Sequence, residues 1–216
     1  MNSIDCTIIA DGTSDAMTIP AIKWCLDQHF PDLGFNIELA RLGSSAKGLN
    51  FSEKVCRALD LYPCTILFIH RDVENQTIKD RQDELNRKLE NVDCSLPKIV
   101  FVIPKRMSES WLLIEEKAIR YAANNPNGKM QLNLPDINQL EKLPDSKSLV
   151  IQLLEEATGL NKRRRRSFRP RAAIHRLSEN IEDYSVLRKL ESFDYLEQQV
   201  SLLDFDELTM SSTKET

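Results

Sequence analysis

TILFIHRDVE, residues Thr65–Glu74, is the stretch from which the fold can be read. Its apolar run, Ile66-Leu67-Phe68-Ile69, is unbroken and ends abruptly in His70, Arg71, Asp72 and Glu74. Four consecutive large apolar residues cannot alternate between core and solvent, so the segment predicts a strand buried on both faces. Its charged end then stands where the strand leaves the core, which in open α/β sheets is where ligands bind. Asp72 and Glu74 are two residues apart, and in extended chain both carboxylates project to the same side. Such a pair suits a hard cation such as Mg2+. It equally suits the opening turn of a following helix, where acids complement the dipole.

Working outward, Cys6–Ala10 (CTIIA) reads as a first strand running into the turn Asp11-Gly12-Thr13-Ser14-Asp15. Ile19, Ile22, Leu26 and Phe30 follow near helical spacing, with Pro20 acceptable in the first turn and Phe30-Pro31-Asp32 as the stop. Phe35–Leu42 alternates Phe35, Ile37 and Leu39 against Asn36 and Glu38, as a half-buried strand near a sheet edge would. The loop Gly43-Ser44-Ser45-Ala46-Lys47-Gly48 lacks the spacing of a Walker motif and reads as a connector. Phe51–Leu61 predicts a helix stopped by Tyr62-Pro63, and Ile78–Asn91 another. Lys98–Ile103 (KIVFVI) is a second fully buried strand, stopped by Pro104. Ser108–Ala123 predicts a continuous helix. The order βαβαβαβα predicts an α/β chain with a mainly parallel, three-layer sheet.

After Ala123 the character changes. Asn124-Asn125-Pro126-Asn127-Gly128 is a turn cluster. Ser148–Ala157, Ala172–Leu177, Val186–Leu190 and Tyr195–Leu203 are apolar at helical spacing and none is strand-like. The expected organisation is an α/β domain over residues 1–128, a helical appendage packed on it over 129–207, and a polar tail over 208–216.

Composition narrows the function. The net charge of −4 argues against a generic polyanion binder, so any nucleic-acid contact must come from a local basic patch. Six glycines are few for phosphate loops or an all-β chain. The five cysteines form no CxxC pair and fall in apolar patterns, which predicts buried, reduced thiols. The three histidines show no ligand spacing near a cysteine, which argues against zinc. The N-terminal stretch lacks the basic region and apolar core of a signal peptide, and no apolar run approaches the ~20 residues that span a bilayer. The cytoplasm is the expected location, with no membrane partner.

Several residues are candidates for chemistry. Asp11 ends the first strand as Asp72 and Glu74 end the third, and if those strands are neighbours their carboxylates converge at one sheet edge. Three such charges repel unless a cation sits among them. Asp15 is explained as a helix cap. Glu109, in the first turn after the second buried strand, either complements a helix dipole or reaches the metal or a basic partner. His70 reads best as a polar strand end, and Arg71 either contacts a phosphate or pairs with a carboxylate. Basic side chains fill seven of the ten positions from 162 to 171: Lys162, Arg163, Arg164, Arg165, Arg166, Arg169 and Arg171. A polyphosphate or nucleic acid would relieve their mutual repulsion, and so would pairing with acids such as Glu155 and Glu156.

These residues resemble a known arrangement. The Toprim domain of topoisomerases, primases and OLD-type nucleases carries an acid plus Gly after its first strand and a DxD at the end of a later one. Here Asp11-Gly12 and Asp72-Val73-Glu74 stand in those places. DGTSDAMTIPAIKW, LYPCTILFIHRDVE, PKRMSESWLL and AANNPNG also resemble the bacterial DUF4276 proteins, over residues 5–205. The chain departs from the Toprim pattern in having Asp11 for Glu and Glu74 for the second Asp. The resemblance implies a Mg2+- or Mn2+-dependent phosphodiesterase or nuclease of bacterial anti-phage defence, working beside an ATPase partner. Asp11, Asp72 and Glu74 would hold the metal with Glu109 in support, and the 162–171 tract would hold nucleic acid. With no nucleophilic Tyr indicated, it implies hydrolysis and not strand passage. The rival reading is a non-catalytic nucleotide- or nucleic-acid-binding or regulatory subunit using the same strand-end pocket.

Overall fold

The computed structural model describes residues 3–73 and 76–205. Four strands, β1 (Ser3–Ile9), β2 (Gly34–Leu39), β3 (Ile66–His70) and β4 (Lys98–Val102), form one all-parallel sheet in the order β2-β1-β3-β4. The chain is thus α/β, as expected, with β2 at one edge. Every residue of β3 is buried. The reason is visible in the alternation: Ile66 and Phe68 point into one hydrophobic cluster, and Leu67 and Ile69 into the other. Val100 and Val102 of β4 divide from Phe101 in the same way. An apolar run without polar alternation is what two covered faces require. Each fully buried Ile, Leu, Val or Phe contributes about 1.5–3 kcal/mol.

One face is covered by α2 (Phe51–Leu61) and α3 (Ile78–Leu89), through Val55, Ala58, Ile78 and Leu85. Both helices open with a capping box, Asn50 with Glu53 and Thr77 with Asp80, which satisfies backbone N–H groups that would otherwise be orphaned. Cys56 and Cys94 form a disulfide with Cα atoms 5.7 Å apart. The expectation of reduced thiols is therefore corrected for this pair. They are 38 residues apart in the chain, and only the packing of α3 beside α2 brings them together. Cys6, Cys25 and Cys64 are free.

The other face is covered by α1 (Ile19–His29), α4 (Glu116–Ala122), α5 (Ser146–Ala157), α7 (Pro170–Asn180) and α8 (Glu191–Ser201); the short α6 (Lys162–Arg165) precedes α7. Pro20 sits in the first turn of α1, where its missing N–H costs nothing. The helices after residue 128 share a single apolar core with β1, α1 and β4. Trp111 and Phe193 meet edge to face at 5.3 Å, and Trp111 Nε1 donates to Ser192 Oγ at 3.2 Å. α8 also covers the open edge of β4. The Gln199 side-chain amide donates to the Phe101 carbonyl and accepts from the Phe101 N–H, both at 2.9 Å, so both backbone groups of Phe101 on the open edge are paired.

The continuous helix expected over Ser108–Ala123 is corrected. A 3-10 turn spans Ser108–Leu112, and α4 starts only at Glu116. Six consecutive residues, Ser108 to Leu113, are buried, and an α-helix at a surface buries only one side. The segment packs against α5, reaches the end of β3 through Ser108 and meets α8 through Trp111, and the break lets all these sides pack. The polar tail 208–216 lies outside the described residues.

Candidate functional site

The chain leaves β1 for β2 on one side and β3 for β4 on the other, so the topological switch point lies between β1 and β3. In sheets of this kind ligands bind outside the strand C-termini at that point. Ile9 and Ile69 are paired in register, which sets the two strand exits side by side. Past β3 the ladder continues: Arg71 N–H donates to the Val102 carbonyl and Val73 N–H to the Pro104 carbonyl, each at 3.0 Å. Asp72 is thereby held on extended backbone at the rim of the sheet. An open depression of about 560 Å³ is lined here by Asp11, Asp15, His70, Arg71 and Asp72. α3 adds Arg81, Glu84 and Lys88 to its wall.

A hydrogen-bonded chain runs under this depression. Ser108 Oγ lies 3.0 Å from Asp72 Oδ1 and 2.6 Å from His70 Nε2. On the far side of the imidazole, Nδ1 is 3.6 Å from Asp15 Oδ2. Ser108 and His70 are both buried. Burial holds the imidazole below its ordinary pKa, against the opposing pull of Asp15, so it is neutral at neutral pH. Burial also pushes the Asp72 carboxyl up to about 7, with the charges of Asp15 and Glu109 adding to the rise and hydrogen bonds from Ser108 opposing it. Two proton arrangements satisfy the chain. With Asp72 ionised, Ser108 donates to it and His70 Nε2–H donates to Ser108. With Asp72 protonated, the order reverses and Nδ1–H turns toward Asp15.

Asp15 does two jobs. Its Oδ2 accepts the Gly12 N–H at 3.0 Å, the capping role read from the sequence, and the same carboxylate faces His70. Asp11 is directed outward, its side chain 74% exposed, and forms an ion pair with Arg71. Of the two roles open to Arg71, pairing with a carboxylate is the one seen. Glu109 is buried and paired with Lys147 of α5 at 3.3 Å. Asp11 and Asp72 therefore share one depression and Glu109 stands beside it, whereas Glu74 lies outside the described residues. Among the described residues, no three carboxylates bring ligand atoms within 4.8 Å of one another.

The group that does so is Cys25, His29 and Glu197. Cys25 and His29 are one helical turn apart on α1, a ligand-compatible spacing that corrects the reading of the histidines given above. Glu197 of α8 is already satisfied: Arg188 donates to both its oxygens, and His29 Nε2 lies 3.0 Å from Oε1. Burial pushes the Cys25 thiol up to about 12, which opposes the thiolate a metal needs. The network fastens α1 to α8.

The basic tract begins at α6 and runs into α7. Arg163, Arg164, Arg166, Arg169 and Arg171 are exposed, and Arg165 donates to the Leu160 carbonyl at 3.2 Å. The side chain of Lys162 lies outside what the structure describes. Among the described residues no carboxylate is within ion-pair distance of these arginines; Glu156 instead accepts from Gln152 at 2.9 Å. Arg171 lines a cavity of about 490 Å³ together with Ser14, Glu109, Lys147 and His175. The tract thus joins the flank of the acidic depression through Glu109.

Nothing in the sequence marks Ser108 or Lys147 as functional, and Asp15 stands out there only as a cap. A small hydroxyl residue in a turn carries no signal of its own. No family model, curated protein or solved structure matches the chain.

Proposed function

We propose that the chain hydrolyses phosphodiester bonds in nucleic acid at the β1/β3 depression, with Mg2+ or Mn2+ as the metal, in a Toprim-like manner. The observation that carries this reading is Asp72: a strand-end carboxyl among Asp15 and Glu109, with Ser108 as its hydrogen-bond donor. The donor set fits the ion. Mg2+ is a hard cation that keeps several waters and takes one or two carboxylates plus phosphate oxygens. Asp72 and Asp11 would hold it, with Glu109 adding negative potential from beside the site. Once bound, such an ion supplies an activated water and neutralises charge on the leaving oxygen.

The chain's own residues do the rest. Ser108 and His70 fix the orientation of the Asp72 carboxyl. Arg71, Arg81 and Lys88 line the same depression, where Asp11 pairs with Arg71 and Glu84 with both Arg81 and Lys88; a phosphate would exchange for these carboxylates. Arg163, Arg164, Arg166, Arg169 and Arg171 hold the polyanion on the flank. The test is cleavage of labelled single- and double-stranded DNA and RNA with Mg2+ or Mn2+. Activity that is lost in Asp72→Ala supports the reading. A folded wild-type protein that binds Mn2+ and cuts none of these substrates overturns it.

One observation favours a second reading, a non-catalytic nucleotide-binding or regulatory subunit. Asp11, the acid standing in the motif position, is taken up by Arg71. On that reading Asp72→Ala leaves nucleic-acid affinity and partner binding intact, with no activity to lose.

A further inference from the structure

A second cavity, of about 310 Å³, lies on the other side of the Asp11–Arg71 pair, outside the C-terminal ends of β1 and β2. Its floor is apolar, made by Ile9, Leu42 and Phe51 among others. Its rim carries three cations, Arg41, Lys54 and Arg71, against the single carboxylate of Asp11. Arg71 is spoken for by Asp11. Among the described residues, neither Arg41 nor Lys54 has a carboxylate within ion-pair distance. The Phe51 ring also carries the Arg71 guanidinium and the Lys88 ammonium, each 5.8 Å from its centroid. The cavity therefore combines apolar lining with the positive charge of Arg41 and Lys54, and its position obeys the rule that ligands sit beyond strand C-termini. Its volume is at the low end of the roughly 300–1,000 Å³ range of small-molecule sites.

We propose that this cavity binds a nucleoside monophosphate. The base lies against the Phe51 and Leu42 wall, which removes its apolar faces from water. The phosphate is taken by Arg41 and Lys54, which as charged donors form stronger hydrogen bonds to an anion than neutral groups do. Asp11, at the rim, accepts from a ribose hydroxyl or a base amino group. A cavity of this size admits one nucleotide unit and not two. A plain phosphate would leave the apolar wall wet, and a hydrophobic molecule would leave the cations unpaired. The site shares the Asp11–Arg71 wall with the depression at Asp72 but does not depend on hydrolysis there.

The test is direct binding by calorimetry, in EDTA, so that a failure of the metal-dependent reading cannot affect the result. AMP, GMP, CMP and UMP are titrated separately, with ribose 5-phosphate and inorganic phosphate as the arms that isolate the base. The expected result is that at least one monophosphate binds roughly tenfold or more tightly than either arm. Lys54→Glu and Arg41→Glu are each expected to weaken it by roughly tenfold or more. Phe51→Leu, which keeps an apolar side chain and removes the ring, is expected to weaken the nucleotide and leave ribose 5-phosphate unchanged. Circular dichroism confirms that each variant is folded. The proposal is overturned if no monophosphate exceeds inorganic phosphate, or if folded Lys54→Glu and Arg41→Glu bind like the wild type.

Discussion

Replacing Asp72 by Asn is expected to make the protein more stable at pH 8 and to leave it nearly unchanged at pH 4. The folded-state carboxyl titrates at about 7, against a reference of 3.8. A group whose folded pKa is raised contributes stability that is fully present below its unfolded pKa. That stability is lost as pH rises through the folded value, here between about pH 4 and pH 7. The full shift corresponds to a ceiling of about 4 kcal/mol at 1.36 kcal/mol for each pH unit. The side chain is 35% exposed, so solvent screening reduces the figure to about 1–2 kcal/mol. Asn is neutral like the protonated acid and its NH2 can donate to Ser108 Oγ as the protonated carboxyl does, so at pH 4 variant and wild type converge. Urea unfolding followed by circular dichroism, without reductant, measures the difference. With a slope of about 2 kcal/mol per molar urea, the midpoint at pH 8 rises by about 0.5–1 M in Asp72→Asn. Added Mg2+ should raise the midpoint of the wild type more than that of the variant, by mass action on the folded state. An Asp72→Asn midpoint equal to or below wild type at pH 8 would refute the electrostatic account of this site.

Three other outcomes follow from the geometry. Thiol titration of the unfolded, unreduced protein should find three reactive cysteines, and Cys56→Ser should lower stability by about 3–4 kcal/mol on the chain-entropy estimate for a loop of this length. Gln199→Ala leaves the Phe101 N–H and carbonyl unpaired at the sheet edge, which should cost about 1–3 kcal/mol and speed hydrogen exchange at the Phe101 amide. Reversing Arg163, Arg164 and Arg166 to Glu should weaken single-stranded oligonucleotide binding in fluorescence anisotropy. It should also reduce the slope of log affinity against log salt by about 2. An unchanged slope would remove the tract from the interface.

Much of the sheet was legible because burial leaves a local trace. Ile66–Ile69 and the run after Lys98 show no polar alternation, and both strands are covered on two faces. β2 does alternate, and it stands at an edge. The bounds of α2 follow from chemistry within the helix itself, the Asn50–Glu53 box at one end and Tyr62-Pro63 at the other. The break at Leu113–Glu115 was not legible, since apolar residues at helical spacing look the same whether the chain is wedged between layers or lies along one surface.

The site divides in the same way. Asp11 and Asp72 are marked by position alone, as charges where an apolar strand stops, and both do line the switch-point depression. What they do there depends on contacts that sequence separation hides. Asp11 meets Arg71, while Asp72 meets Ser108, 36 residues away, and through it His70 and Asp15. The stretch Thr65–Glu74 by itself determined a buried central strand with an acidic exit, because solvent exclusion and side-chain period are local properties. Which acids share that exit, which cysteines join and which cations go unpaired were decided only by the tertiary structure. These depend on how strand order and helix packing bring distant residues within a few ångströms.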